Sequence, residues 1–143
     1  MSNNAQRLAG RIAVITGGAQ GIGYSIAARL AEEGASVVLA DIKTDTAKLA
    51  AEKIVAAGGK ASVIPVNIGN DASVAELAGN VESLHGRCEI LVNNAAIGAD
   101  THIETMTMEE YARVININQD GAVRMTMAFV PLIKKSGAGR RIL

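Results

Sequence analysis

Cysteine is almost absent from this chain. Cys88 has no partner for an internal disulfide, and neither it nor the nearby His85 lies at a metal-binding spacing. Neither charge sign predominates, since 14 basic residues face 14 acidic ones, which excludes a strong attraction to nucleic acid or an anionic membrane. No apolar run approaches membrane-spanning length, and the first residues lack the apolar core of a signal peptide. With 49% hydrophobic residues, the composition predicts a cytoplasmic globular domain without a metal ion.

Glycine, in contrast, is common, and it clusters between Thr16 and Gly23. Residues 12–15 before the cluster form a β-branched run typical of a strand buried on both faces. After the cluster, apolar residues recur at helical spacing as far as Gly34. A strand, a glycine turn and a helix in this order direct free backbone N–H groups and the positive end of a helix dipole at one point. The stretch therefore predicts a phosphate-binding turn.

The spacing of the glycines distinguishes between known phosphate loops. A P-loop is excluded because Gly23 is followed by Tyr24 rather than by Lys. A G-x-G-x-x-G loop is excluded because its third glycine would have to stand at Ile26. A plain flexible turn remains as the alternative interpretation. The pattern that fits is T-G-x-x-x-G-x-G, formed by Thr16, Gly17, Gly21 and Gly23, and it resembles the short-chain dehydrogenase/reductase family.

Strands and helices alternate along the rest of the chain. Strands are expected at 12–15, 36–40, 61–66 and 89–92, with helices at 44–58 and 71–86 and a long helical stretch at 108–135 interrupted at 116–121. Pro65 favours an edge position for the third strand. This alternation predicts an α/β fold, a doubly wound Rossmann parallel sheet that binds its ligand at the carboxyl ends of the strands. Residues 140–143 look like the start of a fifth strand, so we expect residues 1–143 to form an incomplete Rossmann domain.

An acidic residue closes the second strand. Asp41 lies 24 residues after Gly17, near the roughly 20 expected for a carboxylate that binds the adenosine ribose. The same carboxylate would repel a 2′-phosphate, and no Arg or Lys occupies positions 19, 20, 40 or 42. These features favour NAD over NADP. A simple helix-capping role for Asp41 before Thr44 is the alternative, and the two roles are compatible.

Polar residues at further strand ends match the family pattern in part. The resemblance implies adenine contacts near Asn67 and Ile68, where the family often has Asp, although a plain turn is an alternative interpretation. Asn93-Asn94-Ala95-Ala96 is similar to the N-N-A-G signature, with Ala96 in place of glycine. Asn118 and Gly121 resemble the N-x-x-G segment that supports a proton relay. The resemblance thus assigns a supporting catalytic role to Asn118, and cofactor contacts to Thr16, Gly17, Gln20, Gly21, Ile22, Gly23, Asp41, Asn67, Ile68, Asn93 and Ala95.

The groups that perform chemistry in the family are missing from this chain. It contains no Tyr-x-x-x-Lys pair, because Tyr24 is followed four residues later by Ala28 and Tyr111 by Ile115. We therefore expect the cofactor-binding part of an oxidoreductase for a secondary alcohol or ketone, with no significant turnover alone and a homo-oligomeric full-length form. The alternative hypothesis is a non-catalytic nucleotide-sensing module. His102 and Glu104 suggest an acid/base pair, but a solvated loop is the preferred interpretation.

Overall fold

The computed structural model describes residues 6–137 and 139–143. In chain order the elements are β1 (Ile12–Thr16), α1 (Gly21–Glu32), β2 (Ser36–Asp41), α2 (Thr44–Ala56), β3 (Lys60–Pro65), α3 (Asp71–His85), β4 (Ile90–Val92), α4 (Met108–Ile115), a π-helical turn (Asn116–Asp120), α5 (Gly121–Lys135) and β5 (Arg141–Ile142).

The described strands form one parallel sheet in the order β3-β2-β1-β4-β5. This confirms the predicted doubly wound Rossmann-type sheet, and β3 lies at an edge with Pro65 as its last residue. The strand order reverses between β1 and β4, which is the position where open α/β sheets bind ligands. Several predicted boundaries differ by one residue: β1 ends at Thr16 and β2 at Asp41, one residue later than predicted, and α3 ends at His85, one residue earlier. β3 covers 60–65 instead of 61–66, and β4 begins at Ile90 instead of Glu89. The second helix ends at Ala56, because Gly58 adopts a φ of 90°.

Two apolar cores cover the two faces of the sheet. On one face, α3 and α5 bury large side chains against the strands, among them Leu77, Met125 and Phe129. On the other face, α1 and α2 present mostly alanine, which lets these two helices pack close to the sheet. Because both faces are covered, β1 is buried along its whole length and is apolar from Ile12 to Ile15, as its sequence predicted.

The long helical stretch is interrupted where the sequence predicted an interruption. Between α4 and α5 the chain makes the π-helical turn, in which the N–H of Gly121 donates to the carbonyl oxygen of Asn116, five residues earlier. A Cβ on Gly121 would stand 2.8 Å from Cδ1 of Ile68, so close packing requires a residue without a side chain there. π-Helical turns are frequent at functional sites, which directs attention to the segment around Asn118.

A buried carboxylate joins the N-terminal segment to the end of α1 at the amino edge of the sheet. Glu33 is 5% exposed and forms ion pairs with Arg7, at 2.7 Å, and with Arg29. The hydrogen bond from Arg7, together with the charges of Arg7 and Arg29, outweighs the effect of burial and lowers the pKa of Glu33 from 4.5 to about 2. This ion pair lies at the opposite edge from the carboxyl ends of the strands.

Cys88 lies two residues before β4 and is fully buried. Burial raises the pKa of its thiol to about 12, so the reactive thiolate form is suppressed near neutral pH. Within residues 6–137 and 139–143, no helix has both the length and the apolar character needed to cross a bilayer. In the same part of the chain, no three His, Cys, Asp or Glu residues come together as metal ligands.

Candidate functional site

A cleft of about 490 Å³ opens at the carboxyl ends of β1, β2, β3 and β4. Its walls come from the glycine turn, the end of β2, the loop after β3, the loop after β4 and the π-helical turn. The cleft therefore gathers the strand ends on both sides of the point where the strand order reverses. The lining residues are Gly17, Gln20, Gly21, Ile22, Ala40, Asp41, Ile42, Lys43, Val66, Asn67, Ile68, Asn94, Ala95, Ala96, Ile97 and Ile117.

Each glycine of the turn is required at its position for a different structural reason. Gly17 has a φ of 66°, and a Cβ there would stand 2.9 Å from Nδ2 of Asn94. Gly21 has a φ of 57°, but the position of its Cβ has no protein atom within 4 Å, so open space lies in front of it. A Cβ on Gly23 would lie 2.2 Å from the carbonyl oxygen of Gly17. Gly17 and Gly23 thus let the turn close on itself, while Gly21 leaves room beside the cleft for a ligand.

The N-terminus of α1 makes this side of the cleft favourable for an anion. The helix begins at Gly21 after Gln20, and the Gln20 side chain does not cap it. The first N–H groups of a helix have no partner within the helix, and they carry the positive end of its dipole. No acidic residue lies in the first turn of α1 to neutralise that end. A phosphate group bound here would face free N–H donors.

Asp41 joins two walls of the cleft through its carboxylate. Oδ2 accepts a hydrogen bond from the backbone N–H of Ala19 at 3.0 Å, and Oδ1 accepts one from the N–H of Lys43 at 2.9 Å. The residue that precedes α2 is Lys43, and no side chain caps that helix. Asp41 is therefore held between the glycine turn and the turn before α2, and each oxygen keeps a further lone pair for a ligand hydroxyl.

The loop after β3 brings Asn67 and Ile68 to the cleft. The side-chain oxygen of Asn67 accepts from the N–H of Gly69 at 3.0 Å, and its backbone N–H donates to Oγ of Ser73 at 2.9 Å. Asn67 thus forms an Asx turn, as the turn interpretation required, and also lies on the cleft wall. Ile68 is 7% exposed and packs into the core on the side of α5.

Thr16 supports the loop after β4 from below the cleft. Its hydroxyl donates to the carbonyl oxygen of Val92 at 3.2 Å and accepts from the N–H groups of Asn94 and Ala95, at 3.0 and 3.1 Å. The side chain of Asn94 donates in turn to the carbonyl oxygens of Thr16 and Gly17. This small network fixes the loop against the glycine turn, so Thr16 acts through Asn94 and Ala95 and does not line the cleft.

Asn93 and Asn118 lie outside the lining. Asn93 donates to Oγ1 of Thr126 at 3.3 Å, while its buried Oδ1 has no partner among the residues described. Asn118 makes a two-point contact with the backbone of Ile97: its Nδ2 donates to the carbonyl oxygen, and its Oδ1 accepts from the N–H, each at 2.8 Å. The Asn118 side chain therefore holds the loop after β4 against the π-helical turn.

The structure thus brings eight of the twelve proposed site residues to one cleft, while Thr16, Gly23, Asn93 and Asn118 lie outside its lining. The sequence reasoning missed Lys43 and Ile117. Lys43 could have been found because it lies two residues after Asp41 on the same turn. Ile117 could not, because only the π-helical turn brings it to the cleft.

Comparisons with known proteins agree with this geometry. The protein-family model described as short chain dehydrogenase matches residues 11–143. An uncharacterized oxidoreductase, YxjF of Bacillus subtilis, is 33% identical over 92% of this chain and 51% of its own length. The 2-dehydro-3-deoxy-L-rhamnonate dehydrogenase (NAD(+)) of a Sphingomonas species is 34% identical over 98% of this chain and 55% of its own.

Among solved structures, a metagenomic short-chain oxidoreductase in complex with NADP superposes with a TM-score of 0.85. It is 34% identical, and the match covers 91% of this chain and 59% of that one. The fold and the cleft define a Rossmann-type nucleotide-binding domain, and the relatives that it matches are oxidoreductases. The chain belongs to the short-chain dehydrogenase family, which uses nicotinamide cofactors. It spans about half the length of the curated relatives it matches.

Proposed function

We propose that the cleft binds nicotinamide adenine dinucleotide and that the chain is the cofactor-binding part of an oxidoreductase for a secondary alcohol or ketone. The observation that carries this proposal is the juxtaposition of the open N-terminus of α1 at Gly21 with the fixed carboxylate of Asp41. The first suits a pyrophosphate and the second a ribose diol. Ribonucleotides in general pair an anion with a diol, and the family match favours the nicotinamide dinucleotide among them.

Each part of the ligand has a counterpart in the chain. The N–H groups at the start of α1 would hold the pyrophosphate, and Asp41 would accept from the adenosine ribose hydroxyls. The base would then lie beyond Asp41, near Asn67 and between the apolar side chains of Val66 and Ile68. The loop around Ala95 would border the nicotinamide half, which supplies or accepts a hydride when bound. Asn118 would support that half through its hold on Ile97.

We propose NAD as the preferred cofactor, because the negative charge of Asp41 would oppose a 2′-phosphate on the ribose. NADP is the second candidate, and Lys43 is the observation that favours it. Lys43 lines the same cleft, and its ammonium group could partner a phosphate. The named relatives include one with NAD(+) in its name and one solved with NADP, so the preference depends on Asp41 and Lys43.

Turnover by this polypeptide alone is not expected. General acid/base chemistry requires a group that can exchange a proton with the substrate, and Asn118 offers only an amide that is bonded to Ile97. A nucleotide-sensing role remains the alternative that needs no such group. Exposed apolar side chains on α4 and α5, among them Met108, Tyr111 and Met127, agree with the proposal of a homo-oligomer for the longer protein.

Calorimetric titration with NAD and with NADP tests the proposal. We expect saturable binding of one dinucleotide per chain, tighter for NAD. Equal affinity for the two would contradict the preference assigned to Asp41, and absence of binding by both would contradict the proposed function. A coupled assay with secondary alcohols and NAD should show no turnover, and measurable turnover would contradict the assignment of this chain to cofactor binding alone.

A further inference from the structure

Arg124 on α5 is a charged residue that is largely covered by the protein and lies outside the lining of the cleft. Its side chain is 24% exposed and makes four polar contacts on three different segments. Nη1 donates to the carbonyl oxygens of Ile68, at 3.2 Å, and of Asn116, at 3.1 Å. Nη2 donates to Oδ1 of Asn116 at 2.6 Å, and Nε pairs with the exposed carboxylate of Asp71.

The partners of Arg124 are also bonded to each other. Nδ2 of Asn116 donates to the carbonyl oxygen of Gly69 at 3.2 Å. Gly69 in turn packs so closely that a Cβ there would stand 2.5 Å from Cδ1 of Ile117. Arg124, Asn116 and the backbone of Ile68 and Gly69 therefore form one connected set, which we call the Arg124 clamp. It ties the loop after β3 to the π-helical turn.

The clamp acts directly behind two walls of the cleft. Ile68 lines the cleft on the loop after β3, and Ile117 lines it on the π-helical turn. The carbonyl oxygen of Asn116 accepts from Gly121 in the wide five-residue ring of the π turn and from Arg124 as well. A guanidinium can satisfy several acceptors with a planar set of donors, which a lysine ammonium cannot match. Arg124 is thus suited to hold both walls at a fixed separation.

We infer that Arg124 is a positioning residue for the dinucleotide cleft, which sets the separation of Ile68 and Ile117 by clamping the loop after β3 to the π-helical turn. The effect of the clamp on ligand affinity rests on the proposed function, whereas its effect on the opening of the loop after β3 and of the π-helical turn does not. Without the clamp, the loop and the turn lose their shared charged donor, and each is free to open separately.

Hydrogen exchange of the unliganded chain tests the clamp itself. The variant R124M keeps most of the side-chain length but removes every donor. We expect faster exchange in R124M at residues 67–70 and 116–120 together, with little change elsewhere. R124K should recover part of the protection, since it restores the charge with fewer directed donors. Exchange equal to that of the unsubstituted chain in both segments would overturn the inference.

A matched control is available on the same helix pair. Lys135 on α5 pairs with Glu82 on α3, far along the helices from the cleft. K135M therefore removes an ion pair between the same two helices without touching the clamp, and it should leave both segments protected. A K135M variant with the same local increase as R124M would show a general effect of α5 docking and would overturn the inference.

Dinucleotide titration provides the second readout. R124M should bind NAD about tenfold more weakly than the unsubstituted chain, because binding must then also order the two walls that the clamp no longer holds, and K135M should bind unchanged. Unchanged affinity in R124M would overturn the positioning role. Failure of the unsubstituted chain to bind NAD would refute the proposed function, and hydrogen exchange would still decide the clamp. If R124M lacks the native circular dichroism spectrum, R124Q replaces it under the same criteria.

Discussion

Replacement of Asp41 by serine should change which dinucleotide the cleft accepts. In the structure the carboxylate accepts from Ala19 and Lys43 and stands where the ribose of a bound dinucleotide is proposed to lie. At an effective dielectric constant of about 20 and a separation of about 5 Å, each unit of phosphate charge is opposed by about 3 kcal/mol. Salt screening at this open site reduces that value, so we expect about 2 kcal/mol, or roughly thirtyfold, against NADP.

The D41S substitution also frees hydrogen-bond donors that the Asp41 carboxylate now occupies. The N–H groups of Ala19 and Lys43 lose their acceptor, and the side chain of Lys43 belongs to a residue that lines the same cleft. All three groups could then contact a 2′-phosphate. NAD should lose affinity in D41S because the ribose hydroxyls lose a charged acceptor. The two affinities therefore move in opposite directions, which a simple loss of folding would not produce.

The assay is calorimetric titration of the original chain and D41S with each dinucleotide. Asp45 provides the control, because it lies four residues further on with an almost fully exposed side chain, and D45S removes the same charge. D45S should keep the original ratio of affinities. A D41S chain that retains the original NAD to NADP ratio would refute the reasoning from Asp41.

Three further predictions concern stability. T16V should lower the free energy of unfolding in urea by about 1–3 kcal/mol, because the partly buried N–H groups of Asn94 and Ala95 lose their acceptor; T16S should not. G23A should cost about 3 kcal/mol or more, since its Cβ would stand 2.2 Å from a backbone oxygen, while G79A has open space and should be neutral or stabilising by thermal melting. The lowered pKa of Glu33 means that its pairing with Arg7 stabilises the fold above about pH 4.5 and that this stabilisation is lost as the pH falls toward 2. Between about pH 6 and about pH 3, E33Q should lose less stability than the unsubstituted chain, and an equal loss in both would contradict that linkage.

Much of the fold could be predicted from local patterns. The buried run of β1, the glycine turn and the apolar periodicity of α1 each depend on neighbouring residues, so their order was readable from the sequence. The edge position of β3 followed from Pro65, whose missing N–H excludes a central strand. The interruption before α5 was predicted from Asn118 and Gly121, although the π geometry was not.

The parts of the site that could not be predicted depend on contacts between distant segments. Lys43 lines the cleft from a turn that is bonded to Asp41, and Ile117 lines it from the π-helical turn. The contacts of Arg124 with Ile68 and Asp71 join residues more than fifty positions apart, and no local sequence pattern reveals such a pairing. The supporting role of Asn118 in chemistry stays a prediction, and the sequence did not indicate that its side chain is bonded at both ends to Ile97.

The central claim is that a dinucleotide binds between the glycine turn and Asp41. An NMR titration of the isotopically labelled chain with NAD tests it most directly, because each backbone amide reports its own position. The account predicts saturable shifts concentrated at residues 17–23, at Asp41 and at residues 67–69 and 94–97. Shifts confined to the cleft at the amino edge of the sheet, around Lys53 and Gly58, or no shifts at millimolar NAD, would contradict it.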